Sequence, residues 1–121
     1  MKVVVVGATG NVGTSVVQAL CADSRVERVV GVARRPGGLD IDGVKWTRAD
    51  IRSADLVDLF AGAAAVVHLA WLIQPSHRPD VLASVNIDGT RRVCVPLWYC
   101  ASPSVSTADS PAFTSRSDVA F

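Results

Sequence analysis

The chain is short of several things, and each shortage closes a class of function. It has 121 residues with three cysteines, Cys21, Cys94 and Cys100. That odd number lacks any Cys-x-x-Cys spacing, so neither a disulfide framework nor a zinc site is expected. Buried small apolar residues are the expected role of Cys21 and Cys94. Charge of one sign is also missing. Twelve Lys+Arg against eleven Asp+Glu leave a net charge of +1, which gives no reason to invoke nucleic acid or a membrane surface. No apolar run reaches the roughly 18 residues that a membrane span needs. The N-terminus enters a strand after one lysine and lacks the charged-then-apolar layout of a secretion signal, so a cytoplasmic location is expected. Half of the residues are apolar and 19% are charged, a globular composition with room for one domain.

What is present is a glycine-rich turn placed between a strand and a helix. Lys2-Val3-Val4-Val5-Val6 is a short β-branched run that reads as a buried strand. Gly7-Ala8-Thr9-Gly10-Asn11-Val12-Gly13 follows, and Thr14–Ala22 reads as a helix. This is the layout of a dinucleotide-binding βαβ unit. Gly7 lets the chain turn sharply off the strand. Gly10 lets the backbone approach a pyrophosphate where a Cβ would collide, and Gly13 lets the helix pack on the strand. The helix start offers unpaired N–H groups and partial positive charge to phosphates.

The pattern continues. Arg28–Ala33 reads as a second strand, Arg34–Gly43 as a loop and Val44–Ala49 as a third strand. Ser53 is the expected N-cap of a helix over Ala54–Phe60, ended by Gly62. Ala63–Ala70 is a continuous apolar run, as in a central parallel strand covered on both faces. A loop with Pro75 and Pro79 follows, with His77 exposed in it, and then a helix over about Asp80–Val95. Strands alternating with helices predict an α/β fold, a doubly wound parallel sheet truncated after about four or five strands. Pro96–Ala101 reads as a candidate fifth strand. Residues 1–95 form the expected nucleotide-binding part, and 96–121 an irregular tail.

The Gly-x-x-Gly-x-x-Gly spacing with Thr9 before Gly10 resembles the extended short-chain dehydrogenase/reductase superfamily, in its NAD-dependent epimerase/dehydratase branch. Val85-Asn86-Ile87-Asp88-Gly89-Thr90 resembles that family's Val-Asn-x-x-Gly-Thr segment, and His68-Leu69-Ala70 its His-Leu-Ala. The resemblance implies a Rossmann-type fold and NADP or NAD as cofactor. The implied cofactor-binding residues are Gly7, Thr9, Gly10, Asn11, Val12, Gly13, Arg34, Arg35, Asp50, Ile51, Leu69, Ala70 and Asn86. Arg34 and Arg35 stand at the end of the second strand, where an acid would favour NAD and an arginine pairs a 2′-phosphate. They favour NADP; the plain alternative is a solvated pair of charges. Asp50 with Ile51 is either the pair that touches the adenine or a turn aspartate. Asn86 would fix the neighbouring strand by polar contacts. His68 reads as a packed strand residue, not a catalyst.

The family's chemistry uses a tyrosine with a lysine four residues on. Here the one tyrosine is Tyr99, position 103 is Pro103, and the two lysines are Lys2 and Lys45. Ser102 and Ser104 stand near the family's serine, but Pro103 breaks its pattern. No catalytic residue is expected in the chain, and no metal. Three readings follow: the cofactor-binding part of an epimerase/dehydratase-like enzyme, inactive alone; a non-enzymatic nucleotide-binding module like the NmrA-type regulators; or a broken gene product that does not fold. A small-molecule substrate is expected for the first, and self-association through an uncovered sheet edge for the first two. Val105-Ser106-Thr107-Ala108 can be encoded GTG TCT ACA GCC; read two bases on, that gives Val-Tyr-Ser, a family-like turn. The change of character after Val95 is what a shifted reading frame would produce.

Overall fold

The computed structural model describes residues 1–37, 40–72 and 78–101, with 98–101 described by their backbone alone. Four strands, β1 (Lys2–Val6), β2 (Arg28–Ala33), β3 (Val44–Arg48) and β4 (Ala65–His68), form one sheet in the order β3-β2-β1-β4. Every pairing is parallel; Val6 stands opposite Val32 on one side and His68 on the other. The chain therefore runs outward from β1 through β2 to β3, then returns to the far side of β1. The gap between β1 and β4 is the topological switch point, where open α/β sheets bind ligands beyond the carboxyl ends of their strands.

Valine repetition in β1 reflects burial on both faces. Val3, Val5 and Val29 pack toward Val17 of α1 (Asn11–Ala22). Val4, Val6, Val30 and Val32 pack on the other side, against Ile51, Leu56, Phe60 and Val93. Phe60 ends the short α2 (Val57–Phe60), and Lys2 Nζ donates to the carbonyls of Leu59 and Ala61 at that helix's end. On β2, a Cβ at Gly31 would lie 2.7 Å from the Trp46 ring, so the missing side chain makes room for the indole of β3.

The last helical stretch runs without a break through α3 (Pro79–Ala83), a π-helical segment Ser84–Gly89 and α4 (Thr90–Ala101). Pro96–Ala101 is thus helical, not a fifth strand, and Pro96 is accommodated inside the helix. The reason is visible in the burial pattern: Val85, Gly89, Val93 and Pro96 are the buried positions, at helical spacing. Other expectations need similar correction. The first helix begins at Asn11, three residues before Thr14. Ser53 caps nothing; residues 51–53 form a turn, and the Asp55 carboxylate accepts from the Val57 N–H instead. Pro79 opens a helix instead of lying in a loop. β4 is an edge strand of the described sheet, and Val66, Val67 and His68 are only half-buried. Cys94 is exposed, while Cys21 is half-buried. His77 and residues 102–121 lie outside the described residues.

Candidate functional site

A cleft of about 210 Å³ opens at the carboxyl end of the sheet, over the switch point. Its floor is the glycine turn. Gly7 takes φ +85, a left-handed conformation that favours glycine. A Cβ there would lie 2.6 Å from the Ala70 amide nitrogen and 2.8 Å from the Leu69 carbonyl carbon. The turn is therefore pressed directly against the segment that follows β4. The N–H groups of Gly7 and Ala8 donate to the Val32 carbonyl at 2.9 and 3.2 Å, which ties the turn to β2 as well. A Cβ at Gly13 would collide with the Gly7 carbonyl oxygen, so this glycine seats α1 on the turn.

Gly10 is different. An added Cβ would meet only the Gly7 carbonyl oxygen, at an ordinary 3.5 Å. Nothing among the described residues demands a glycine there. Gly10 is the N-cap of α1, with no side-chain cap bond and no acidic residue in the first turn. The first N–H groups of a helix have no intrahelical partner. They accordingly present an uncapped donor set and partial positive charge beside the cleft.

Of the sequence-derived site residues, the structure brings Gly7, Thr9, Gly10, Arg34, Asp50, Ile51, Leu69 and Ala70 into the cleft lining. Asn11 and Val12 lie in the first turn of α1, exposed but outside the lining, and Gly13 is buried beneath it. Arg35 is exposed and does not line the cleft. Ala49, Trp71, Leu72 and Val85 do line it, and sequence reasoning missed them. The signal for Trp71 and Leu72 was their place directly after His68-Leu69-Ala70.

Asn86 has a definite job. Its Oδ1 accepts from the Leu72 N–H at 2.8 Å and its Nδ2 donates to the Leu72 carbonyl at 2.9 Å. One amide thus satisfies both backbone groups of a residue in the cleft wall. The rest of the motif serves neighbouring needs. Gly89 leaves room for Ile51, whose Cδ1 would stand 2.6 Å from a Cβ there. Thr90 Oγ1 is 2.9 Å from His68 Nε2. Burial pushes the His68 imidazole below its ordinary pKa, and its Nδ1 has no partner among the described residues. This fits a packed strand residue. Arg92 of α4 donates to the carbonyls of Ile51 and Ala54 at 2.9 and 2.8 Å. It fixes the opposite wall, which no sequence motif announced.

Asp50 occupies that wall. Its carboxylate accepts from the Arg52 N–H at 2.9 Å and from the Arg52 guanidinium at 2.7 to 3.2 Å. The Arg52 hydrogen bonds, with the Arg52 and Arg34 charges, hold the Asp50 pKa down to about 2. The residue is a turn aspartate and a cleft residue at once. Arg34 stands exposed at the mouth of the same end. No group of three or more metal-ligating side chains occurs among the described residues, and none of their helices is long and apolar enough to cross a membrane.

Residues 3–105 match the NAD dependent epimerase/dehydratase family. The chain belongs to that family. The curated L-arabinose 1-dehydrogenase (NAD(P)(+)) of Haloferax volcanii is 36% identical over 93 residues, covering 76% of this chain and 34% of the dehydrogenase. Among solved structures, MoeE5 in complex with UDP-glucuronic acid and NAD superposes with a TM-score of 0.73 at 31% identity, over 83% of this chain and 33% of MoeE5. A short-chain dehydrogenase/reductase superfamily protein from Agrobacterium tumefaciens with bound NAD gives 0.71 at 29% identity, over 83% of this chain and 30% of that protein. The chain spans about a third of the length of these epimerase/dehydratase relatives.

Proposed function

We propose that the chain is the NAD(P)-binding part of an epimerase/dehydratase-like oxidoreductase, and that it carries no catalysis by itself. The observation that carries this reading is Gly10 over an uncapped helix start at the switch point. The residues fit the cofactor: a bare backbone with unpaired N–H groups suits a pyrophosphate, and the described residues have no packing use for that bareness. The nicotinamide supplies hydride transfer when bound. The residues of this chain hold and orient. The α1 start would receive the pyrophosphate, Asp50 and Ile51 the adenine half, and the segment Leu69–Leu72, held at Leu72 by Asn86, the other half. The Asn86 clamp on the Leu72 backbone supports an enzyme scaffold over a regulatory module, because it holds the cleft wall in place. The absence of Tyr-x-x-x-Lys from the 121 residues supports inactivity alone.

The finer proposal is a preference for NADP. Arg34 lines the cleft and is exposed at the end of β2. A guanidinium there suits a 2′-phosphate bidentately. Arg35, outside the lining, has no such part. The test is a fluorescence titration of the purified chain with NADPH and with NADH. Saturable binding is expected, tighter for NADPH by about tenfold, equivalent to ~1.4 kcal/mol. Arg34→Ala should abolish that preference and Arg35→Ala should leave it. No binding of either nucleotide would refute the reading, and equal binding of both would refute the preference alone.

A further inference from the structure

Arg92 uses its guanidinium differently from the arginines that pair locally. Arg25, Arg52 and Arg78 each bond an aspartate two residues away. Arg92 pairs with no carboxylate among the described residues. Its Nε donates to the Ile51 carbonyl at 2.9 Å and its Nη2 to the Ala54 carbonyl at 2.8 Å, across 41 and 38 residues of sequence. A planar fork that meets two backbone acceptors fixes orientation as well as position, which a point charge does not. The root of the fork is firm, since Val93 beside it is fully buried.

The turn that Arg92 holds follows β3, an edge strand with no buried residue. The Ala49 N–H still donates back to the sheet, to the Ala33 carbonyl at 3.0 Å. Beyond it the turn bonds to itself. The N–H groups of Ser53 and Ala54 both donate to the Asp50 carbonyl, at 3.0 and 2.8 Å, and Arg52 pairs with the Asp50 carboxylate. Those bonds shape the turn without tying it to the rest of the fold. The last helix supplies the ties: Gly89 leaves room for the buried Ile51 side chain, and Arg92 takes the two carbonyls one turn further on. Asp50 and Ile51 line the cleft, whereas Arg92 does not. Its effect on the site therefore passes through the turn.

We infer that Arg92 is the positioning residue of the adenine half of the site, holding the turn of residues 50–54 where Asp50 and Ile51 meet the base. This rests on the dinucleotide reading given above. Without the fork the turn keeps its internal bonds and loses its fixed place, so a ligand must order it on binding. That cost falls on ligands that carry a base. A bare pyrophosphate, which meets the start of α1, escapes it.

The test uses the whole chain, with amide hydrogen exchange in the absence of ligand and nuclear magnetic resonance titrations with ADP and with inorganic pyrophosphate. Pyrophosphate reports the α1 start, and ADP adds the base. Arg92→Met keeps an unbranched apolar stem and removes the fork. In that variant the Ser53 and Ala54 amides should exchange at least about tenfold faster, while the amides of β1 keep their wild-type rates. ADP binding should weaken roughly tenfold, with pyrophosphate binding unchanged. Arg92→Lys, which restores charge without the fork, should still lose about threefold for ADP. Wild-type ADP affinity in Arg92→Met would overturn the inference and leave the cofactor reading standing. Equal losses of ADP and pyrophosphate would also overturn it, by showing that Arg92 acts through the whole fold. Full ADP affinity in Arg92→Lys would overturn it too, since charge alone would then suffice. If Arg92→Met unfolds, the comparison of ADP with pyrophosphate in Arg92→Lys decides the matter. A wild-type chain that binds ADP no better than pyrophosphate would remove the adenine wall. A chain that binds neither would sink the cofactor reading and the inference with it.

Discussion

Gly7 and Gly10 stand three residues apart in one turn, yet alanine should affect them in opposite ways. At Gly7 the new Cβ meets backbone, 2.6 Å from the Ala70 nitrogen, at φ +85. The left-handed conformation costs a non-glycine residue about 1–2 kcal/mol. Overpacking against atoms that cannot swing aside adds about 1–3 kcal/mol. The sum, about 2–5 kcal/mol, is a large fraction of the total stability of a small domain. Gly7→Ala should therefore lower Tm by at least about 8 °C, given about 4–8 °C per kcal/mol at this size. At Gly10 the backbone is extended, with φ −73 and ψ 167, and the nearest neighbour is 3.5 Å away. Exchanging a glycine N-cap for alanine costs at most about 1 kcal/mol, so Tm should fall by less than about 8 °C. The methyl would stand at the uncapped helix start, so NADPH affinity should drop at least about tenfold, or ~1.4 kcal/mol. Thermal melts followed by circular dichroism, paired with nucleotide titrations, measure both quantities. The reasoning fails if Gly10→Ala binds NADPH as wild type does. It also fails if Gly10→Ala unfolds as early as Gly7→Ala.

Asn86→Leu removes two hydrogen bonds to the Leu72 backbone. At about 1 kcal/mol each, Tm should fall by roughly 10 °C, with nucleotide affinity falling too; an unchanged melt would show that the clamp is idle. Asp50 has a folded pKa lowered from 3.8 to about 2, so its contribution is present above the unfolded pKa and lost as pH falls through the folded one. Urea unfolding followed from pH 5 down to about pH 2 should show a steeper loss of stability for wild type than for Asp50→Asn, with the difference confined below about pH 4.

The glycine turn and the strands were legible because their signals are local. Val3 to Val6 are buried on both faces, and that is what a valine run predicts. Gly7 read correctly because a left-handed φ excludes a side chain whatever lies further away, whereas Gly13 seats the helix on the turn at Gly7 and Ala8 instead of on the strand. The first turn of α1 was misplaced because Asn11-Val12-Gly13 has poor helix propensity, while the helix there is held by packing of Gly13 on the turn. Pro96 misled for a related reason. Proline stops helices through its missing N–H, but Val93 and Pro96 are buried on the core-facing side and keep the helix going. The π-helical segment Ser84–Gly89 could not be foreseen, since the partners of Asn86 and Gly89, Leu72 and Ile51, lie far away in the chain. Arg92 and Trp71 went unread because their partners, or their exposure, exist only once distant segments meet.

A sheet whose strands all point one way has two unlike ends. The cleft sits at one end, with residues 7, 9, 10, 34, 49–51 and 69–72. The amino terminus lies at the other, where Met1 donates to the Arg25 carbonyl and pairs with Glu27. That exposed pair contributes little. An affinity tag or a tether to a sensor surface can therefore be fused ahead of Met1, and immobilised molecules will present their mouths to the flowing solution.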